Sequence, residues 1–392
     1  MSARLAGGMF WFSMVIVTPA WAQEDLNSLL EPIRAKYQLP ALAAAVADEG
    51  KVIAIGAVGT RVLGQDIPVT LDDRFHLGSD TKAMTAVLAG KLVDEGRLAW
   101  STTIGDVFGE SMPGLNPGFA AITLEQLLSH TSGIPTDNEE IAALYFGNAY
   151  DDTPTNLRRK IISEWGSKHE PAPGDVGSFH YANLGYTIVG AMVEQVTGKP
   201  WENLIQSEIF APLGLTTAGL GPQATTGLYD APVGHAVGDD GQIEPRPWGP
   251  SADVPTVIGP AGSAHMSVRD FVTWAAWNAG GGKRGPSLVT PETLAMIHAP
   301  HVSMEIPDPP PGTPTSGQYG FGWGLVEFEW APEPLLTHNG SNSMNLATVL
   351  IDPELDLAIT VVTNFPGKGA DSALREVMKV LYEGYSPSGA IP

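Results

Sequence analysis

Two pairs of β-compatible apolar runs stand at opposite ends of this 392-residue chain, and that separation constrains its fold more than any other feature. Residues 41–48 and 52–58 flank Glu49-Gly50-Lys51, which reads as a hairpin turn. Residues 345–351 and 357–364 flank Asp352-Pro353, which reads as a second hairpin, and Gly320 to Phe328 is a further candidate strand. Between the two ends run helical patterns separated by loops rich in Gly and Pro. Strands at both ends with helices between predict a single sheet assembled from the two termini. The expected fold class is α/β (α+β): an antiparallel sheet with flanking helices from residues 23–96 and 281–392, plus a mainly helical inserted domain over residues 97–280.

Helix signals fit that division. Leu26, Leu29, Leu30 and Ile33 share one face of a pattern over 25–37, where Pro32 delays the start or kinks the helix. Thr123 followed by Gln126 is a capping box. Asn183 to Thr197 is an apolar helix ended by Gly198, and Ser267 with Asp270 opens another. The last helix, 371–382, aligns Leu374, Val377, Met378 and Leu381. The long loops 218–262 and 298–318 are the places for substrate-contacting walls.

Hydrophobic content of 43% and charged content of 16% describe a globular chain. Residues 1–22 read as a cleaved signal peptide, with Arg4, an apolar stretch from Met9 to Val17, and Ala20-Trp21-Ala22 as the cleavage pattern. The expected location is periplasmic or secreted, with no membrane span after signal removal. The chain contains no cysteine, which excludes a disulfide framework and a thiolate nucleophile. The net charge of −22 disfavours nucleic acid as a partner. No cofactor is expected, and no metal motif such as His-Glu-x-x-His is present. The expected partner is a small-molecule or peptide substrate.

Ser79-Asp80-Thr81-Lys82 is the single Ser-x-x-Lys of the chain and opens a helical pattern carrying Met84, Val87, Leu88 and Leu92. Positions i and i+3 share a helix face, so Lys82 stands one turn from Ser79. A serine hydroxyl needs such a neighbour to take or steer its proton. Tyr181-Ala182-Asn183 is the single Tyr-x-Asn, 102 residues after the serine, and His338-Asn339-Gly340 follows 157 residues later, directly before a strand. Each has an ordinary alternative. Tyr181 is otherwise a buried aromatic, Asn183 a helix N-cap and His338-Asn339-Gly340 a turn. His130 reads as structural, and His298 and His301 as surface residues in a Pro-rich loop.

In this order the three motifs resemble those of the serine β-lactamase and penicillin-binding superfamily. The likeness is to its class C-like branch, which includes D,D-peptidases, D-amino-acid peptidases and esterases. Phe75-His76-Leu77-Gly78, the segment from Leu127 to Gly133, Pro212-Leu213-Gly214 and the segment from Tyr319 to Trp323 are similar to family segments as well. The resemblance implies Ser79 as the acylated nucleophile, with Lys82 and Tyr181 as the proton-handling groups. Which of the two is the base is left open, because a free tyrosine titrates near ~10 and needs a cation to lower it. Lys82 would supply that cation, and His338 would help if protonated. Asn183, His338, Gly340 and Ser341 would line the substrate, with an oxyanion hole from the backbone N–H groups of Ser79 and Ser341.

There are departures. Class C β-lactamases proper usually carry Glu where this chain has His76, Ser or Ala at Thr81 and Lys at His338. Loss of the strand lysine argues against efficient β-lactam hydrolysis. Met344 stands where many relatives have glycine. The function expected is an exported serine hydrolase acting through a Ser79 acyl-enzyme on D-amino-acid peptides, β-lactams or small esters. The alternative is a non-catalytic protein of the penicillin-binding fold that binds cell-wall fragments or a partner. An α/β-hydrolase is excluded by the absence of Gly-x-Ser-x-Gly.

Overall fold

The computed structural model describes residues 23–387 apart from 148, 150, 173, 251, 307, 308 and 310–312. The expected signal peptide, residues 1–22, lies outside the described residues. The two ends of the chain do share one sheet. Among the described residues its nine strands run in the order Glu24–Asp25, Lys51–Gly59, Ala41–Asp48, Leu357–Thr363, Leu346–Asp352, Leu335–Ser341, Gly324–Val326, Ser316–Tyr319 and Val302–Glu305. The joint between the termini is the antiparallel pair Leu357–Thr363 on Ala41–Asp48, with Leu357 opposite Asp48 and Thr363 opposite Leu42. The expectation of an antiparallel sheet holds except at one edge, where Glu24–Asp25 pairs parallel with Lys51–Gly59.

The sheet is buried on both faces, which is why its inner strands read as continuous apolar runs. Along Ala41–Asp48, Ala41, Ala43, Ala45 and Ala47 join one core, while Leu42, Ala44 and Val46 join the other. The second core is closed by the helices Asn27–Lys36 and Lys368–Tyr385, the latter burying the expected Leu374, Val377, Met378 and Leu381. Each such aliphatic side chain contributes about 1.5–3 kcal/mol on burial. Helix Val268–Ala279 packs on the opposite face, where the alanines let it approach. It lies in the segment expected to be the helical insert, yet it belongs to the packing of the sheet.

One strand departs from expectation. The run 320–328 is not continuous: Ser316–Tyr319 and Gly324–Val326 are separate strands joined by a tight turn. Gly322 in that turn has φ +80°, and a Cβ there would come 2.6 Å from Ala83 N. The turn is therefore pressed against the backbone of helix Thr81–Asp94, with Phe321 and Trp323 fully buried on either side. His298 and His301, expected at the surface, are instead partly buried packing residues. His298 sits edge-on to Trp323 and His301 stacks on Phe321 at 4.0 Å. No helix among the described residues is long and apolar enough to cross a membrane.

Candidate active site

Ser79 is set by a strand–turn–helix connection. Arg74–His76 pairs with Ala264–Ser267, the chain turns through the 3-10 segment Gly78–Asp80, and helix Thr81–Asp94 follows. Thr81 fixes the turn: its hydroxyl donates to Gly78 O at 2.7 Å and accepts from Ala264 N at 3.0 Å. Gly78 has φ +50°, and a Cβ on it would overlap Ser341 N. A Cβ on Gly340 would overlap Leu77 O and lie 2.8 Å from Ser79 N. The nucleophile turn and the strand Leu335–Ser341 therefore meet backbone to backbone. That contact brings the N–H groups of Ser79 and Ser341, the expected oxyanion donors, to one place.

Helix geometry puts Lys82 Nζ 3.0 Å from Ser79 Oγ. The ammonium end is buried and makes two further bonds, to Asn183 Oδ1 at 2.7 Å and to Ala261 O at 2.8 Å. Both of those partners are carbonyl oxygens and accept only. A neutral amine has two N–H donors and one lone pair. With both donors engaged by the carbonyls, the lone pair is left for the Ser79 hydroxyl. Burial pushes Lys82 down to about 7, against the opposing charges of Asp137 and Asp80, so the neutral form is accessible near neutral pH.

Asn183 is not the N-cap. It is the first residue of helix Asn183–Thr197, its side chain makes no cap bond, and Ala182 holds the cap position. Its oxygen accepts from Lys82 and its amide donates to Asp137 Oδ2 at 2.8 Å. Asp137 is a site residue that sequence reasoning missed, because nothing local marks a loop aspartate.

Tyr181 lies beside the lysine, with Lys82 Nζ 4.7 Å from its ring centroid, and hydrogen bonds to Ser79. Burial nonetheless raises its hydroxyl above the usual tyrosine range, which the bond to Ser79 only partly offsets. Tyr181 is therefore an O–H donor at neutral pH and Lys82 the better first base. His130 braces the tyrosine. Its ring centroid is 4.4 Å from that of Tyr181, its Nδ1 accepts from Ala182 N at 3.2 Å, and burial holds it neutral.

His338 does not act as the cation considered above. Burial pushes it down to about 3, and the charge of Lys82 adds to the shift. Its Nε2 is 3.1 Å from Tyr319 Oη, and its Nδ1 is 3.3 Å from Asp80 Oδ1 without hydrogen-bond alignment. Asp80 is fully buried, and burial holds its carboxyl well above the usual carboxylate range. Tyr186 donates to Leu128 O at 2.7 Å. Tyr319 Oη and His338 Nε2 share a hydrogen bond, and Nδ1 faces the buried Asp80 carboxyl. Asp80, Tyr186 and Tyr319 were also missed in the sequence, since their roles arise from burial. Met344 packs against Gly234, and the backbone N–H of the next residue, His235, donates to Met344 O at 3.0 Å.

Ser79, Lys82, Tyr181 and Asn183 thus converge, with Gly340 and Ser341 beside them and His338 behind Tyr181. The group can deprotonate a serine, stabilise an oxyanion and return a proton to a departing atom. No set of three or more metal-ligating side chains is grouped among the described residues.

Known proteins carry the same arrangement of chain. The chain is 26% identical over 346 residues to penicillin-binding protein 4 of Amycolatopsis lactamdurans, covering 85% of this chain and 83% of that one. It is 24% identical to protein flp of Staphylococcus aureus (strain N315), but spans only 63% of that protein's length. The structure of D-amino acid amidase from Ochrobactrum anthropi SV3 superposes with a TM-score of 0.72 at 20% identity, covering 92% of this chain and 98% of the amidase. The Beta-lactamase family model matches residues 26–382, almost the whole described chain, and the protein belongs to that family.

Proposed function

We propose that this protein is a serine hydrolase that cleaves amides or esters through an acyl-Ser79 intermediate, in preference to β-lactams. The observation that carries the reading is the Lys82 amine, whose two donors are engaged by Asn183 and Ala261 and whose lone pair meets Ser79. In the acylation step the Ser79 proton passes to Lys82 and Oγ bonds to the substrate carbonyl carbon. The oxyanion is met by the N–H groups of Ser79 and Ser341. Tyr181 gives its proton to the leaving oxygen or nitrogen as that bond breaks, and Lys82 restores the proton to Tyr181. Water repeats the sequence on the acyl-enzyme, releasing the acid and regenerating Ser79.

The substrate preference is supported by His338. A neutral imidazole stands where a lysine would otherwise face an anionic substrate, so the carboxylate common to penicillins loses a partner there. The likeness to a D-amino acid amidase makes D-amino-acid amides the first amides to try. An exported location belongs to the same proposal, on the strength of residues 1–22.

The test is turnover of a panel of D-amino-acid amides, small esters and a penicillin, with intact mass read in parallel. The expected result is amide or ester hydrolysis that disappears in Ser79→Ala, with penicillin hydrolysed slowly or held as a long-lived Ser79 adduct. Rapid penicillin hydrolysis exceeding that of every ester and amide would overturn the preference. Equal turnover by wild type and Ser79→Ala would overturn the enzyme.

A further inference from the structure

We infer that the substrate's leaving group is uncharged and apolar and sits in a cavity beyond Tyr181, beneath the edge of the sheet. The inference rests on the hydrolase reading above and adds which part of the substrate is selected.

The cavity has a volume of about 410 Å³, within the usual range of small-molecule sites. Tyr181 and His338 belong to its wall, so it borders the reaction centre. From there it passes Phe179 and Tyr319 and extends along the edge strands to Val326, Phe328 and Met378. Met304 and Ile306, from the loop region expected to form substrate walls, line it as well. Gly324 keeps the passage wide: a Cβ there would come 3.0 Å from Met304 Cε.

The end of the substrate that enters follows from the chemistry. The group that returns a proton to the departing atom must stand on the leaving-group side of the carbonyl. Tyr181 is that group, and Tyr181 is also the wall at which the cavity begins. The alcohol or amine portion, attached to the atom Tyr181 protonates, therefore points into the cavity, and the acyl portion points away from it. In the step itself the Ser79 O–H bond and the carbonyl–OR bond break. The Oγ–carbonyl bond and the RO–H bond form, so the alcohol leaves neutral.

The lining also sets the charge. Among the described residues, Arg375 and the exposed Glu305 are the only formally charged side chains that line the cavity. Arg375 is already matched, its Nε bonding both carboxylate oxygens of Asp371 at 3.1 Å. An alkyl or aromatic group gains from burial here, whereas a carboxylate would compete with Asp371 for one guanidinium.

The experiment uses the full protein and acetate esters of methanol, propanol, hexanol and benzyl alcohol, with the acetate of a 6-hydroxyhexanoate as the charged member. Ser79→Ala is the blank. The expected result is a kcat/KM that rises by about two- to fourfold per methylene up to hexyl, near the value for a buried CH2, with the carboxylated ester at least tenfold below hexyl. Met304→Trp, on a half-buried edge-strand position, fills the cavity and should lower the hexyl-to-methyl ratio at least tenfold. If that variant does not fold, Met304→Ala should move the optimum to a longer alcohol. A flat or falling series with Ser79-dependent turnover, a preference for the carboxylated ester, or a ratio unmoved by Met304→Trp would overturn the inference and leave the hydrolase standing. Absence of both turnover and Ser79 acylation by any activated ester would overturn the hydrolase reading, and the inference with it.

Discussion

Asn183 donates to Asp137 at 2.8 Å through the same amide whose oxygen accepts from Lys82 at 2.7 Å. The loop carboxylate is thereby coupled to the base beside the nucleophile. It acts by fixing the amide's orientation and by favouring the charged lysine.

That coupling sets the pH dependence. The reacting form of Lys82 is the neutral amine, and burial brings it to about 7 from the ordinary 10.5. The active form therefore dominates above about pH 7 and is lost as pH falls, giving an acid limb of about tenfold per unit in kcat/KM. Asp137→Asn removes a charge that favours protonated Lys82, so its acid limb should move to lower pH. Profiles of kcat/KM from pH 5 to 9 check both; a flat wild-type profile would remove Lys82 as the base.

Ser79→Ala should reduce turnover by at least about 10³-fold, because the nucleophile acts as a unit with its base. Tyr181→Phe keeps the ring against His130 but removes the donor, and should lower kcat by roughly 10²–10⁴-fold. Unchanged far-UV circular dichroism for both variants confirms that the loss is chemical. Retention of more than a tenth of wild-type activity in Tyr181→Phe would assign proton return elsewhere.

Asp80 gives a stability prediction. Its folded carboxyl is raised above the unfolded value by burial, against the charge of Lys82, so the folded state holds this proton more tightly than the unfolded chain does. Stability from this group is present below the unfolded pKa of about 3.9 and is lost as pH rises toward the folded value. Asp80→Asn mimics the protonated acid and removes the cost of burying a charge. Thermal melts should show it stabilised at pH 7, with the advantage shrinking toward pH 4. Destabilisation at pH 7 would show that Asp80 is charged in the fold.

Gly340→Ala tests the backbone contact. A Cβ there overlaps Leu77 O, and backbone cannot move aside as a side-chain tip would. The expected outcome is a loss of about 1–3 kcal/mol or more, characteristic of overpacking, together with loss of Ser79 acylation, read by thermal melts and intact mass. Wild-type stability and acylation would mean the turn and strand are farther apart.

Local physics reads directly from residue order, and here it was enough for much of the frame. Alternating and continuous apolar runs marked the strands 41–48, 52–58, 345–351 and 357–364 close to where they lie. The capping box at Thr123 and the face of the last helix were equally legible. Helix periodicity alone put Lys82 beside Ser79, since three residues is one turn. The break at Gly320–Trp323 was not legible, because it depends on contact with Ala83, far away in sequence.

Motif order and family resemblance named Tyr181, Asn183, His338, Gly340 and Ser341, but the chain by itself determined neither their protonation nor their partners. Those were decided by tertiary burial. Desolvation disfavours whichever form of a group is charged, so the same enclosure lowers Lys82 and His338 and raises Asp80 and Tyr181. Asp137 enters through a loop brought to Asn183 from 46 residues away. The sequence determined that a serine and a lysine would meet, because that is a property of one helix turn; the tertiary structure decided which of them carries the proton, because that is a property of everything packed around them.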